Sequence, residues 1–359
     1  MSTLADILKK QIRETGPVSV YNFMDQALSH PEYGYYKQRN PFGKDGDFVT
    51  APEISQMFGE LVGLWCVDCW TKLGTPPHFH LIELGPGNGT LMKDALRSAR
   101  LAPDFLKAAT IHLVETSPVL QKKQQSLLSD HEINWHETIP EFDSGPVLII
   151  ANEFFDALPI RQYVLTDGTL KERGVTCEGH SFAFTLLDKT ESTIPRSPVL
   201  PELQEGDIVE TSPMAEILHR RIAKQLRSLG GAALYVDYGT TDRTVGDSFQ
   251  AVRNHQFTDP LDQPGQSDIT AHVDFSTLIQ IAEQEACDVL PVTSQGRFLE
   301  RLGIEARALA LSRSANDVQK EAIAADLKRL VSASGMGTLF KALSFYHAMQ
   351  APPAGFAED

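Results

Sequence analysis

Apolar residues at the start of the chain recur at helical spacing: Leu4, Ile7, Leu8 and Ile12 share one face. Residues 1–77 read as mostly helical, interrupted by turn chemistry at Pro41-Phe-Gly-Lys-Asp-Gly-Asp47. Thr50, with Glu53 three residues on, predicts an N-cap and capping box. The helix it opens carries Phe58, Leu61, Val62 and Trp65 inward. From His78 the pattern changes to short apolar runs without polar alternation: Phe79–Leu84, Thr110–Glu115, Ile133–His136, Val147–Ala151 and Ala232–Asp237. Helical stretches separate the first four. Parallel strands buried on both faces read this way, and the alternation predicts an α/β fold with a doubly wound sheet.

Two insertions break the alternation. Residues 160–210 alternate like strands, with turn signals at Asp167-Gly168 and Glu178-Gly179 and a Pro-rich stretch from Pro195 to Pro201, which predicts a β-meander. Residues 294–334 read as helices between a weak strand, Cys287–Val292, and a final strand, Thr338–Phe345. The chain thus divides into an N-terminal helical cap (1–77), a core (78–159 and 211–293), the two insertions, a last core strand (335–346) and a tail (347–359).

The 359 residues include 32 basic and 47 acidic ones, a formal net charge of −15. That balance argues against a protein that tracks nucleic-acid phosphates, which needs a basic field. No apolar run approaches the ~18 residues a membrane span requires. The first residues read as a helix rather than a signal peptide, and Asp6 does not suit an Arg-rich transit peptide, so a cytoplasmic location, or an already processed chain, is expected. Four cysteines are too few for a disulfide framework. Cys66-x-x-Cys69 lies in an apolar, Trp-flanked run with no second such pair, and two thiols on a buried helix face is the simpler reading. No His, Cys and carboxylate set has zinc-type spacing, so no metal is expected.

The chemistry concentrates where the first strand ends, in Leu81-Ile-Glu-Leu-Gly-Pro-Gly-Asn-Gly-Thr-Leu91. Gly85, Gly87 and Gly89 let the backbone pass close to a ligand in a tight strand-to-helix turn. The next strand ends in Glu115, 26 residues after Gly89, where a carboxylate can accept both ribose hydroxyls. It would do so for S-adenosylmethionine (SAM) or for NAD. The G-x-G-x-G spacing, with Glu83 two residues earlier, resembles the SAM site of class I methyltransferases, where the acid helps hold the methionine part. The fourth strand runs into Ala151-Asn-Glu-Phe-Phe-Asp-Ala-Leu-Pro159, which places Asn152, Glu153 and Asp156 on the rim where such sheets bind ligands. Asn152 could instead satisfy backbone groups, and Asp156 could cap a helix. Asp237 and Tyr238 end the fifth strand on the same rim and are second choices; His255 and His272 are the other candidates.

Longer stretches resemble the MidA family of SAM-dependent methyltransferases: Tyr33-Gly-Tyr-Tyr36, Gly46-Asp-Phe-Val-Thr-Ala-Pro-Glu-Ile-Ser-Gln-Met-Phe-Gly59, Glu83 to Gly89, Asn152 to Pro159, Pro264 to Phe275 and Gly335 to Lys341. The resemblance runs from about residue 5 to 345. It implies a Rossmann-like class I methyltransferase core holding SAM at Gly85, Gly87, Gly89 and Glu115. It also implies that the 46–59 segment closes over the cofactor, with Asp47, Thr50 and Glu53 nearby. Trp135 and His136 fall where this fold meets the adenine, although Trp135 reads equally well as core. Mitochondrial members of the family methylate protein arginine as complex I assembly factors, so the resemblance implies a protein substrate, a respiratory-complex subunit among them. In this reading Glu153 and Asp156 bind the guanidinium bidentately and Asn152 orients its nitrogen. SAM chemistry on a small molecule or RNA, an assembly factor that binds SAM without turnover, and an NAD enzyme are the alternatives. Oligomeric state is left open by the sequence.

Overall fold

The computed structural model describes residues 3–38, 49–188, 202–242 and 245–356. The predicted site residue Asp47, the turn around it and the Pro-rich stretch from Pro195 lie outside these. The chain forms two compact units, each assembled from separated stretches: Met1–Phe48, Phe155–Leu218 and Thr240–Thr277 in the first, Val49–Phe154, His219–Gly239 and Leu278–Asp359 in the second.

In the first unit the N-terminal helix, Leu4–Thr15, starts at a true capping box: Thr3 accepts from the Asp6 N–H while Asp6 accepts from the Thr3 N–H. Its apolar face, Leu4, Leu8 and Ile12, packs with Phe23, Met24, Ile160, Val175 and Ile269. The meander is antiparallel, Arg161–Thr166 pairing with Thr169–Glu178 and that strand with Ser181–Leu186. Asp167 (φ 52°) and Gly168 (φ 71°) make the primed two-residue turn that suits strand twist. His255, with Asn254, occupies a similar positive-φ turn between Gln250–Arg253 and Gln256–Thr258.

The second unit is built on one sheet. Its strands are β1 (Phe79–Leu84), β2 (Ala109–Val114), β3 (Ile133–His136), β4 (Val147–Asn152), β5 (Gly231–Thr240), β6 (Asp288–Val289), β7 (Thr293–Ser294) and β8 (Phe340–His347). They run in the order β6-β8-β5-β4-β1-β2-β3, with β7 also on β8. The pairings from β5 through β4 and β1 to β2 and β3 are parallel, and β8 is antiparallel to β5. Every residue of β1 and β4 is buried, as in a central parallel strand, His80 and Glu83 of β1 included. These two strands are neighbours, Leu84 opposite Ala151, although the chain leaves them in opposite lateral directions. Ligands bind beyond the carboxyl ends of such a switch point.

The expected single helix after Thr50 is two. Helix α1 (Ala51–Ile54) stops at Ser55, whose extended backbone (φ −153°, ψ 138°) caps α2 (Gln56–Lys72). Thr50 makes no side-chain cap, and the Glu53 carboxylate that would complete the box is bonded to Asn88 and Thr90 instead. Helix α3 (Thr90–Ala99) follows β1, and α4 (Pro118–Leu127) follows β2. Glycines let α2 and α3 approach closely: a Cβ on Gly63 would lie 2.4 Å from the Ala95 oxygen, and one on Gly59 2.7 Å from the Asp94 Cβ. The helical insertion is α5 (Gln295–Arg301), α6 (Ile304–Ser312) and α7 (Asp317–Val331). Its Arg307 bonds Glu60 of α2 through Nε to Oε2 (2.7 Å) and Nη2 to Oε1 (2.8 Å), and Arg97 of α3 donates to the same carboxylate at 3.0 Å.

Cys66 and Cys69 are buried on α2 and unbridged, their thiols pushed up by burial. Among the described residues no helix is long and apolar enough to cross a membrane, and no group of three His, Cys, Asp or Glu side chains is placed to hold a metal.

Candidate functional site

The turn between β1 and α3 needs its glycines. Gly85, Gly87 and Gly89 have φ of 61°, 52° and 84°, where a side chain costs roughly 1–2 kcal/mol. Gly85 is also crowded: a Cβ there would lie 2.7 Å from the Phe154 ring. The Gly85 N–H donates to the Val114 carbonyl (3.0 Å) and the Gly89 N–H to that of Pro86 (2.7 Å). Gly89 caps α3 without a side-chain hydrogen bond. Open N–H groups at a helix start suit an anionic ligand group such as a carboxylate.

Glu83, at the end of β1, is 3% exposed, and its Oε2 has no hydrogen-bond partner. Burial pushes its carboxyl up to about 8; a bond from the Met92 N–H opposes this and the nearby Glu115 charge adds to it. An orphaned buried carboxyl oxygen suits a ligand cation. If an ammonium binds there, affinity for S-adenosyl-homocysteine should rise about tenfold per pH unit from 6 to 8 and then level off. Calorimetric titrations across that range check this; a flat profile contradicts it.

Glu115 is buried and held by design. Its Oε1 accepts from the Ser117 N–H (2.7 Å) and its Oε2 from Gln124 Nε2 (3.2 Å). Gln124, fully buried on α4, was not visible in the sequence, where a helical Gln reads as surface. It also donates to the Gly87 carbonyl (2.8 Å) and accepts from Trp135 Nε1 (3.0 Å). One amide therefore ties together the glycine turn, Glu115 and Trp135.

His136 lies beside Glu115, whose N–H donates to the His136 carbonyl (2.9 Å). Its ring joins a file of imidazoles across the sheet: His136 Nε2 meets His112 Nδ1 (2.9 Å), His112 Nε2 meets His80 Nδ1 (3.1 Å), and His80 Nε2 donates to the Ser144 carbonyl (3.1 Å). Burial, then the neighbouring histidines, push His112 down to about 4. Neutral rings bonded in this way are all Nε2–H tautomers.

On the rim after β4, Glu153 has φ 50°, a strained conformation for a non-glycine. Its N–H donates to the Val236 carbonyl (2.8 Å). Its Oε1 accepts from the Ala51 N–H (3.0 Å) and Asn152 Nδ2 (3.1 Å). The Asn152 Oδ1 is buried without a hydrogen-bond partner. Asp237 braces this corner, its Oδ2 accepting from the Phe154 N–H (3.1 Å) and its Oδ1 from the Tyr238 N–H (2.9 Å). Glu53 reaches the glycine turn, Oε1 accepting from Asn88 Nδ2 (3.0 Å) and Thr90 Oγ1 (2.6 Å). Thr50 is buried at the start of α1.

The second unit thus brings together Glu83, the three glycines, Glu115, Trp135, His136, Thr50, Glu53, Asn152 and Glu153. Asp156 belongs to the first unit. There its carbonyl accepts from the Ala271 N–H (3.0 Å), and its charge, with that of Asp268, helps burial push the Tyr36 phenol up. Tyr36 donates to Asp268 Oδ1 at 2.8 Å, which brings two of the family-like stretches into contact. His272 lines a cavity of about 360 Å³ with Glu210, Asp247 and Asp274 in the same unit.

A switch-point cradle of this construction defines a nucleotide-cofactor enzyme of the SAM-dependent methyltransferase class. Residues 61–293 match the model of a family described as S-adenosyl-L-methionine-dependent methyltransferases, and the chain belongs to that family. It is 35% identical over 394 residues to a Drosophila melanogaster protein named protein arginine methyltransferase NDUFAF7 homolog, mitochondrial, covering 99% of this chain and 89% of that one. The human protein arginine methyltransferase NDUFAF7, mitochondrial, is 33% identical, covering 86% and 75%. A COG1565 superfamily structure from Burkholderia thailandensis, bound to S-adenosyl-homocysteine, superposes with a TM-score of 0.86 at 27% identity over 99% and 94% of the two chains. The cofactor is SAM. The expected cytoplasmic location is corrected by these names, since the curated relatives are called mitochondrial.

Proposed function

We propose that the protein methylates an arginine nitrogen of a protein substrate, as the names of its curated relatives say of them. Gly85, Gly87, Gly89 and Glu83 would hold the amino-acid part of SAM, and Glu115 its ribose hydroxyls, with Trp135 and His136 beside the adenine. The bound cofactor supplies an electrophilic methyl on a sulfonium. Transfer would break the carbon–sulfur bond as a carbon–nitrogen bond forms, leaving a neutral thioether and releasing one proton from the nitrogen to solvent.

The observation that carries the acceptor side is the Asn152 Oδ1, a buried acceptor lacking a donor at the end of β4, next to the strand that leads into the glycine turn. It suits an N–H of the target and would aim that nitrogen's lone pair. Glu153, fixed by two bonds to Oε1, would face the guanidinium cation and localise its charge. A respiratory-complex subunit is the partner class the resemblance puts first.

The test incubates the protein with methyl-labelled SAM and cell lysate and asks whether label enters protein, RNA or small metabolites. Label on protein arginine is expected. Asn152→Ala should cut transfer by about a hundredfold, the scale of one lost positioning contact, with S-adenosyl-homocysteine affinity changed less than threefold. Label confined to RNA or metabolites, or full turnover in Asn152→Ala, overturns the assignment.

A further inference from the structure

Two carboxylates on this rim hold the same short piece of chain. Glu53, inside α1, reaches forward to the glycine turn and accepts from Asn88 Nδ2 (3.0 Å) and Thr90 Oγ1 (2.6 Å), the side chains on either side of Gly89. Glu153, outside it, reaches back and accepts from the Ala51 N–H (3.0 Å), which opens α1. The residues between are stiff. Ala51 and Pro52 are buried, proline stands in the first turn, and Ser55 is extended where α2 begins. The piece from Thr50 to Ser55 is therefore a tie between the loop after β1 and the loop after β4. The first loop carries the proposed donor site and the second the proposed acceptor site.

We propose that Glu53 is a positioning residue, and that through α1 it couples the cofactor turn to the Asn152–Glu153 rim. The resemblance puts Glu53 near the cofactor, and this proposal gives it an indirect role there. A carboxylate that accepts from both neighbours of Gly89 fixes the conformation of that turn and the start of α3, so it acts on the cofactor through them. The same tie gives Glu153 a second duty. Its Oε1 is shared between the Ala51 N–H and Asn152 Nδ2, so the rotamer of Asn152, and the aim of its Oδ1, depend on where α1 sits. Loosening α1 at the Glu53 end should disturb the acceptor rim, although Glu53 makes no bond to it. Loosening it at the Glu153 end should weaken cofactor binding, although Glu153 lies on the other loop.

The proposal rests on the methyltransferase reading and is tested on the whole protein with S-adenosyl-homocysteine, without an acceptor. Glu53→Ala should weaken that binding about tenfold. Glu53→Gln keeps an acceptor oxygen for Asn88 and Thr90 and should recover most of the loss. Glu153→Ala should also weaken binding. The double variant should fall well short of the product of the single effects, because either change alone already frees α1. Amide exchange supplies a readout independent of affinity: the Ala51 N–H, bonded to Glu153, should exchange at least tenfold faster in Glu53→Ala and near the wild-type rate in Glu53→Gln.

Unchanged binding in Glu53→Ala, multiplicative losses in the double variant, or wild-type exchange at Ala51 would each overturn the coupling. Failure of the wild-type protein to bind S-adenosyl-homocysteine would instead overturn the reading beneath it.

Discussion

Gly85→Val should abolish measurable binding of S-adenosyl-homocysteine, a loss of at least a hundredfold or roughly 3 kcal/mol, in a protein that still folds. Two costs act at once. The position has φ 61°, where a β-branched residue is an outlier. The new Cβ would stand 2.7 Å from the Phe154 Cδ2, before either methyl is counted. The Phe154 backbone is pinned by its N–H bond to Asp237, so only the ring can yield. The turn must open or Phe154 must swing, and both disturb the surface the cofactor lies on. Gly85→Ala should show the same direction with a smaller loss. Calorimetric titration beside a thermal melt decides it. Wild-type affinity in Gly85→Val would mean the cofactor does not use this turn.

The largest stability effect is expected at a helix contact. Gly63→Val places a Cβ 2.4 Å from both the Ala95 oxygen and Ser98 Oγ, and 2.5 Å from the Ala95 Cα. Most of these are backbone atoms that cannot rotate aside, so α2 and α3 must separate. Separation also pulls Glu60 from Arg97 and breaks the bond from Ser98 Oγ to the Glu60 carbonyl (2.8 Å). Overpacking alone costs about 1–3 kcal/mol, and a carboxylate that is 6% exposed and partly stripped of its partners adds to it. A total of about 4 kcal/mol should lower the melting temperature of a chain this long by roughly 5 °C. Gly63→Ala should fall between. A melting temperature within 2 °C of wild type would show, on the same scale, that the helices are free to move apart.

These two sites also show what the sequence could reveal. Gly85 was legible because three glycines after an apolar run have few other uses. Strands β1 and β3 were legible to the residue from their bounds, β1 lying between Pro76-Pro77 and the glycine turn. Gly63 was not legible, since a glycine within an apolar helix says nothing about which helix approaches it. The break at Ser55 was missed for a related reason. Thr50 and Glu53 have the spacing of a capping box, but the Glu53 carboxylate is claimed by Asn88 and Thr90, 35 and 37 residues on. Gln124 and the histidine file were invisible because their partners are brought together only by strand pairing. The assignment of Asp156 to the first unit and Glu153 to the second, three residues apart, leaves no trace in composition.

The interleaving of the two units has a consequence for how the chain is made. Neither unit is a continuous stretch, so no single cut releases either one intact. On the ribosome, the first 48 residues wait for partners that end at Thr277. The sheet of the other unit stays incomplete until β8 emerges near the carboxyl terminus to pair along β5. Apolar strands of that sheet are therefore unpaired until β8 has been made, and surface of this kind promotes aggregation of a partly made chain.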